Sequence, residues 1–515
     1  MVASRDDDGC FNRSVARAGR LSRRSFLGAM ALTTVGLGCK SRPSAALPAG
    51  RKAGGSRPNI LLIFIDDLGY GELGCQGNPE IATPHIDSLA KNGIRFTQGY
   101  VTSPYCSPSR AGLLTGRYQS RFGHELNPVG RRNLDERAGL PLSERTIADE
   151  LKAGGYATAL VGKWHLGGLP QFHPQRRGFD EFFGFLHEGH FYVPGPPWPD
   201  VLTWLRTREP PEGAGPRQRD GNVIRSAHLR NNEPPYDENN PILRGTQLVV
   251  EREYLTEALT REATAFIERN ASRPWFLYLS YNAPHSPMQA PLRLLDRFGH
   301  IEDIHRRLFA AMVGALDDSI GTVLTTLRKL QIEEDTLIFL LSDNGGPTAE
   351  LTSSNAPLRG GKGQLFEGGI RIPFLMQWKG RLPTGKIVEQ PVISLDILPT
   401  ALAGVGMSRA ADRKLDGLNL LPWLCGDAPA PGRRTFFWRY GSNVALRDGD
   451  WKLIRQSAWG QKDADFALFD LAQDVGETND LVSVRPDVAK ELRAKLDRLN
   501  AGMAEPLLAR PPRAR

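Results

Sequence analysis

Two oxygen-rich dipeptides and one cysteine carry the chemistry that can be read first. Asp66-Asp67 follows the apolar run Asn59–Ile65, and Asp343-Asn344 closes a second such run, Thr336–Leu341. Adjacent buried carboxylates repel and lose hydration, so they need a cation to be tolerable. Three carboxylates and one amide form an all-oxygen donor set, which suits Ca²⁺ or Mg²⁺ and not zinc. Taken alone, either pair is more often a solvated turn; at equivalent ends of two strands they point to one metal site. Cys106 opens the stretch Cys-Ser-Pro-Ser-Arg, followed by Ala-Gly-Leu-Leu-Thr-Gly. Ser107 is expected to cap a helix and Pro108 to fit its first turn. Cys106 then sits at a helix N-terminus, where partial positive charge favours an anion. Arg110, one turn on, can point back at it. This local chemistry supports either a buried cysteine at a helix start or an activated thiolate.

The elements that must position these groups alternate. Asn59–Ile65 is continuously apolar and β-branched, which predicts a fully buried strand. A helix over 84–92 closes at Gly93 and leads to a strand near 94–101, then to the Cys106 loop. A helix over 145–153 and a strand over 156–162 lead to Lys163-Trp164-His165. Segment 188–250, rich in Pro, Gly and charge, reads as an irregular, variable insertion. A helix over 251–270, strand Trp275–Tyr281, the loop holding His285, a long amphipathic helix over about 302–330 and a strand near 372–378 complete the pattern. Alternating helices and apolar strands predict an α/β fold with a large, mostly parallel sheet sandwiched by helices. Polar clusters recur just past strand C-termini, where such sheets bind ligands. Beyond about 430 the segments 435–440, 443–447, 450–456 and 466–470 alternate, and a helix over 485–503 follows. They predict a small antiparallel sheet with one helix.

Cys106-Ser-Pro-Ser-Arg110 and its Ala-Gly-Leu-Leu-Thr-Gly-Arg extension resemble the motif of type I sulfatases, formylglycine-dependent members of the alkaline phosphatase superfamily. The remaining motifs fall in the order of that family. Pro58-Asn-Ile-Leu with Asp66-Asp67-Leu-Gly-Tyr-Gly resembles its first metal strand, and Gly162-Lys163-Trp164-His165-Leu166-Gly167 its Gly-Lys-Trp-His-Leu-Gly segment. Ala283-Pro284-His285 resembles its histidine loop, Ser342-Asp343-Asn344-Gly345 its second metal dipeptide, and Gly361-Lys362-Gly363 with Glu367-Gly-Gly-Ile-Arg-Ile-Pro373 its lysine loop. The likeness runs from about 57 to 500 and leans towards the arylsulfatase and N-acetylgalactosamine-6-sulfatase branch. It implies an alkaline phosphatase-like catalytic domain over 58–430 and a C-terminal α+β subdomain over 431–503.

The resemblance also implies roles. A maturation enzyme oxidises Cys106 to formylglycine. Asp66, Asp67, Asp343 and Asn344 hold Ca²⁺, or Mg²⁺, together with the modified position 106. Arg110 holds the aldehyde hydrate, while Lys163 and Lys362 clamp the sulfate. One geminal hydroxyl attacks sulfur and the alcohol leaves, protonated by His285 with help from Lys362. The second hydroxyl, deprotonated by His165, expels sulfate. Serine at 106 has no second hydroxyl for that release. A metal ion and several cations lower the repulsion between an anionic ester and its nucleophile. The substrate class is a sulfated glycan or an aryl sulfate. His124, His187, His190 and Trp198 lie near the site in the family layout and are either substrate contacts or ordinary loop residues. Asp317-Asp318 reads as structural, and Gln76 and Asn78 carry no assignment.

The rest of the chain says where the protein works. Arg23-Arg24 before Phe26-Leu27, then a short Gly/Ala/Thr-rich run too short to span a bilayer, resemble a bacterial twin-arginine signal. Leader 1–46 thus predicts export by the Tat machinery to a periplasmic, lipid-anchored or extracellular place. Gly38-Cys39 resembles a lipoprotein processing site, which makes a lipid anchor on Cys39 the one membrane attachment; cleavage near Ala45-Ala46 is the alternative. Residues 47–57 read as a linker and 504–515 as a disordered tail. The net charge is +8, and eight Lys/Arg against three Asp/Glu place +5 of it within 1–46. With no basic stripe interleaved with aromatics elsewhere, nucleic acid is not an expected partner. The five cysteines, Cys10, Cys39, Cys75, Cys106 and Cys425, show no zinc spacing. A Cys75–Cys425 disulfide or two free thiols both fit. Three other readings remain: a phosphodiesterase or phosphonate monoester hydrolase of the same superfamily, a non-catalytic sulfoglycan-binding protein, and a cysteine hydrolase using Cys106 directly. The last gives no reason for the metal dipeptides.

Overall fold

The structure, a computed structural model, describes residues 57–207, 217–227, 232–348, 352–407, 414–457 and 464–508. The leader, Cys10, Cys39 and the linker up to residue 56 lie outside the described residues. The strands are β1 (Asn59–Ile65), β2 (Ile94–Tyr100), β3 (Ala157–Lys163), β4 (Glu181–Phe185), β5 (Val201–Thr207), β6 (Arg217–Asp220), β7 (Val223–Ala227), β8 (Leu243–Arg244) and β9 (Gln247–Leu248). They continue as β10 (Trp275–Tyr281), β11 (Met288–Pro291), β12 (Thr336–Ser342), β13 (Arg371–Gln377), β14 (Lys386–Val388) and β15 (Val392–Ile393). The last four are β16 (Thr435–Tyr440), β17 (Asn443–Asp448), β18 (Trp451–Arg455) and β19 (Ala467–Asp470).

An 11-stranded sheet runs β14-β2-β13-β12-β1-β10-β3-β4-β8-β9, with β15 also on β2. The five strands β12-β1-β10-β3-β4 are all parallel. Strand β13 is antiparallel to both of its neighbours, so β2 again points the same way as β12. The expected α/β sheet is therefore present, with two reversed strands inside it, β13 and the short β8. β1 shows why the residues fold this way. Its alternate side chains feed two cores, Leu61, Ile63 and Ile65 on one face and Ile60, Leu62 and Phe64 on the other, all fully buried. Each such burial contributes about 1.5–3 kcal/mol. Helices Leu255–Asn270 and Ile304–Lys329 cover the first face. Helices Cys106–Thr115, Ile147–Ala153 and Ile397–Gly404 cover the second. Ile304–Lys329 is long and apolar enough to cross a membrane, but it is a core helix of this sandwich.

Strands β16–β19 form the expected antiparallel sheet, with helix Pro486–Ala501 packed on it. Its core is shared with the main body: Tyr100, Leu365, Ile370 and Ile393 pack with Trp438, Leu446, Leu453 and Leu492. Trp438 Nε1 donates to the Val101 carbonyl at 2.7 Å.

Two expectations change, and one open alternative is decided. Segment 188–250 is not irregular: β5, β7 and β6 join β11 in a separate four-stranded sheet, and β8 and β9 extend the main one. Val201–Thr207 does not alternate in polarity and follows a Pro-rich stretch, so its pattern does not announce a strand. Residues 504–508 are not a loose tail. The Ala504 and Leu507 N–H groups donate to Ser120 and Gly123, and Leu508 is buried. Cys75 and Cys425 are free thiols.

Candidate active site

Sheet order explains the site. Strands β12, β1, β10 and β3 are adjacent and parallel, so their C-terminal ends share one edge. That edge carries Asp343-Asn344, Asp66-Asp67, the His285 loop and Lys163-Trp164-His165 in turn. Ile65 pairs with Ser342, which sets the two dipeptides side by side. β2 delivers Cys106 to the same edge, and the Lys362 loop precedes β13, whose N-terminus lies there. Asp67 and His165 both have left-handed backbones, φ 65° and 55°. Such strain in residues other than glycine collects where side chains must be aimed.

The predicted residues come together. Potential ligand atoms of Asp66, Asp67, Cys106 and His285 all lie within 4.8 Å of one another. The Cys106 thiol is 3.4 Å from Asp66 Oδ1. Lys163 Nζ donates to Asp66 Oδ2 at 2.5 Å and Lys362 Nζ to Asp67 Oδ2 at 2.7 Å. Asn344 Nδ2 donates to Asp67 Oδ1 at 2.7 Å, and His285 Nε2 lies 3.6 Å from Asp67 Oδ2. Arg110 is wholly buried. Its Nη2 binds Asp343 Oδ2 at 2.7 Å, its Nη1 donates to Ser280 Oγ at 2.5 Å, and its guanidinium lies 5.2 Å from the centre of the Phe64 ring.

The electrostatics favour an added cation. Burial, then the neighbouring Asp66 carboxylate, push Asp343 up to about 6 despite Arg110. Burial would also raise Asp67, but Lys362, His285 and the Asn344 amide hold it well below the usual carboxylate range. Asn344 Oδ1 is buried without a hydrogen-bond partner. An orphaned amide oxygen beside three carboxylates fits a hard divalent ion, which takes oxygen donors.

One expectation about the Cys106 segment is corrected, and one open alternative is narrowed. Cys106 itself is the first residue of the helix, after Tyr105, so Ser107 does not cap it. Ser107 Oγ instead donates to the His165 carbonyl at 2.6 Å and meets His124 Nε2 at 2.8 Å. Of the two local readings of Cys106, its neighbours favour the buried cysteine over the activated thiolate. Burial, then Asp343 and Asp66, push the thiol well above its ordinary range despite Lys163 and Lys362.

The two histidines differ in which nitrogen is committed. His165 Nε2 lies 2.9 Å from the Pro128 carbonyl, so that nitrogen carries the hydrogen. His165 Nδ1 is left buried and unpartnered, a neutral acceptor. Burial, with Lys163, pushes this imidazole well below the usual range. His285 Nδ1 lies 2.5 Å from the Ser286 carbonyl, which leaves Nε2 towards Asp67. Burial and Lys362 lower its basicity too.

Other candidates separate. His124 is buried against Ser107, its pKa pushed down to about 4 by burial. His187 is buried likewise. His190 Nδ1 lies 2.7 Å from the Phe191 carbonyl, with Asp237 at 3.3 Å. Trp198 stacks on Phe191 at 5.6 Å; Phe191 meets Tyr236, and Tyr236 meets the His285 ring at 6.1 Å. Asp317 accepts the N–H groups of His85 and Ile86, capping helix Pro84–Lys91, a structural role as expected. Gln76 accepts from Arg95, and Asn78 closes its own turn. Sequence reasoning missed Ser280, Ser342 and Asn355. Ser342 Oγ accepts the Leu68 N–H, and Asn355 Oδ1 accepts the N–H groups of Tyr70 and Gly346. A hydroxyl at the buried end of Trp275-Phe-Leu-Tyr-Leu-Ser-Tyr was a signal for Ser280; Asn355 had none.

Comparison with known proteins agrees with this geometry. The sulfatase family profile matches residues 58–407, and one described as N-sulphoglucosamine sulphohydrolase, C-terminal, matches 361–502. The chain is 36% identical to N-acetylgalactosamine-6-sulfatase of Canis lupus familiaris over 404 residues, 77% of this chain and 71% of that one. It is 36% identical to arylsulfatase A of Homo sapiens over 468 residues, 85% of this chain and 86% of that one. Among solved structures, Ps i-CgsB in complex with k-i-k-neocarrahexaose is similar at TM-score 0.75 and 32% identity, covering 88% of this chain and 94% of that one.

Proposed function

Because the chain belongs to the sulfatase family and is a sulfuric ester hydrolase, we propose that Cys106, oxidised to formylglycine, is its nucleophile and that a sulfated carbohydrate is its substrate. The observation that carries this reading is the gathering of Asp66, Asp67, Cys106 and His285 within 4.8 Å, flanked by Lys163 and Lys362. The carbohydrate assignment is supported by relatives named for a sugar sulfate and by a similar structure solved with a neocarrahexaose.

Asp66, Asp67, Asp343 and Asn344 would hold Ca²⁺ or Mg²⁺, which would supply positive charge against the sulfate. Formylglycine would supply a hydrated aldehyde: one hydroxyl to attack sulfur and a second to permit release of sulfate. Arg110 is fixed by Asp343 and Ser280 and would hold the aldehyde hydrate at position 106. Lys163 and Lys362 exchange their carboxylate partners for sulfate oxygens as the ester binds, so that two cations face the developing charge. His285, with Nδ1–H committed to Ser286, must be protonated at Nε2 as well to give a proton to the departing oxygen, a form that the facing Asp67 carboxylate favours, and the Lys362 ammonium beside it assists. His165, with Nε2 committed to Pro128, accepts a proton at Nδ1 in the release step.

The remaining parts of the reading rest on the leader. Twin-arginine export moves folded proteins, so a maturation enzyme acts on the Cys106 segment in the cytoplasm before export to the periplasm or beyond, where the chain begins either at a lipid anchor on Cys39 or at a cleavage near Ala45-Ala46. Mass spectrometry of the Cys106 peptide from active enzyme tests the central claim. Unmodified thiol in fully active material would overturn it. A panel of defined sulfated oligosaccharides tests the substrate class.

A further inference from the structure

The Lys362 loop is gripped from both sides. On one side Lys362 N–H donates to the Gly346 carbonyl at 3.2 Å and Gly363 N–H to Pro104 at 2.9 Å. On the other the C-terminal subdomain holds the loop's two ends. Arg359 Nη1 donates to the Glu477 carbonyl at 2.6 Å, and the Glu367 N–H donates to Glu477 Oε2 at 2.6 Å. Gly368 N–H closes back on the Arg359 carbonyl at 2.8 Å. Leu365 N–H donates to Gln456 Oε1 at 2.8 Å. Glu477 itself is fully buried with a left-handed backbone, φ 51°. Lys452 Nζ lies 3.0 Å from Glu367 Oε1 and 2.8 Å from Glu477 Oε1, all three side chains without solvent exposure. Tyr100 and Arg371 complete the cage around Glu367.

Buried ion networks add little to stability, so one retained here, around a strained carboxylate, points to control of position. We propose that Glu477, locked by Lys452, is a positioning residue for Lys362: it fixes both ends of loop Arg359–Glu367 so that the Lys362 ammonium sits beside Asp67 and His285. The C-terminal subdomain then sets the geometry of proton delivery to the leaving oxygen although, among the described residues, it contributes no group to the site. This rests on the role given above to Lys362.

The test is a series of aryl sulfates of graded phenol acidity, turned over by enzyme whose formylglycine content has been measured for each variant. Impaired proton delivery steepens the dependence of kcat/KM on phenol acidity; a general loss of folded protein lowers all substrates equally. Lys362→Ala is the reference. Glu477→Gln is expected to steepen the dependence in the same sense, costing about 10- to 100-fold on the least acidic phenol and under about 3-fold on the most acidic. Arg359→Ala, an exposed change that removes the second tie, should do the same to a smaller extent and carries the test if Glu477→Gln does not fold. If Lys362→Ala steepens the dependence and neither other variant does, the positioning role is wrong. If Lys362→Ala leaves it unchanged, the role given to Lys362 is wrong and the inference falls with it.

Discussion

Ser280→Ala is the cleanest probe of how Arg110 is held. Ser280 lies outside the Cys106–Arg110 segment that a maturation enzyme would read, so its loss leaves that segment intact. Its hydroxyl accepts from Arg110 Nη1 at 2.5 Å, and both groups are fully buried. After the change, Nη1 keeps only the Lys163 carbonyl at 3.3 Å. A hydrogen bond to a charged group contributes about 1.5–3 kcal/mol. At about 1.4 kcal/mol per decade, the full amount is about 10- to 150-fold in kcat/KM if Arg110 must keep this pose in the transition state. The same energy moves the melting temperature little. A folded chain of roughly 450 residues unfolds with about 1 kcal/mol/K of entropy, so the shift is about 2–3 °C. Activity is therefore the sharper readout. The Tyr278 hydroxyl is buried beside the same guanidinium and can swing to replace the lost acceptor. Ser280→Ala/Tyr278→Phe removes that escape and should show the full loss. The assay is kcat/KM on an aryl sulfate at matched formylglycine content. A double variant within about 3-fold of wild type would refute the argument that these hydroxyls hold Arg110 in its reacting pose.

Cys106→Ser and Cys106→Ala should both abolish multiple turnover while leaving the melting temperature nearly unchanged, since either side chain fits the space; unfolding of both would contradict this. Stripping divalent metal from a sample held near 100 times its Kd should lower stability by about 2.7 kcal/mol, or about 3 °C at this size, and Ca²⁺ or Mg²⁺ should restore both stability and activity. Gly345→Ala should prevent closure of the lysine loop, because a Cβ there would meet the Gly368 carbonyl oxygen at 1.7 Å; wild-type activity in that variant would be the contrary result. Burial, opposed by Lys452 and reinforced by Glu367, pushes Glu477 up to about 7 from 4.5. A carboxyl raised in the folded state contributes stability that is present below pH 4.5 and lost as pH rises through about 7, at most about 3 kcal/mol. Glu477→Gln should therefore flatten the fall in melting temperature between pH 5 and 7, and an unchanged slope would argue against it.

Much of this was legible because strand ends and chemistry coincide. Asn59–Ile65 and Thr336–Leu341 announce buried strands by unbroken apolar runs, and the dipeptides that follow stand out for the same reason. Lys163, His285 and Lys362 were legible only through the family motif, since one lysine or histidine in a loop is indistinguishable from a solvated one. Sequence could not show what holds them. Pro128 reaches His165 through a backbone carbonyl, and Glu477 reaches the Lys362 loop across more than a hundred residues of chain. The insertion was misread because its strands are short and its sheet is completed by Met288–Pro291, from beyond the insertion.

The position of Cys106 joins these strands of argument. A helix start favours an anion there, yet burial, then Asp343 and Asp66, whose Oδ1 lies 3.4 Å from the sulfur, push the thiol above its ordinary range. The same acids that make a poor thiolate make a good seat for a hard cation. Such an ion prefers oxygen to sulfur, so an unmodified cysteine is the mismatched member of the group around Asp66 and Asp67. Oxidation to a hydrated aldehyde replaces that sulfur with oxygen, leaves the position uncharged, and removes the need for a thiolate. The donor preference of a hard cation thus adds a chemical argument for the proposed formylglycine at residue 106 to the one from the motif.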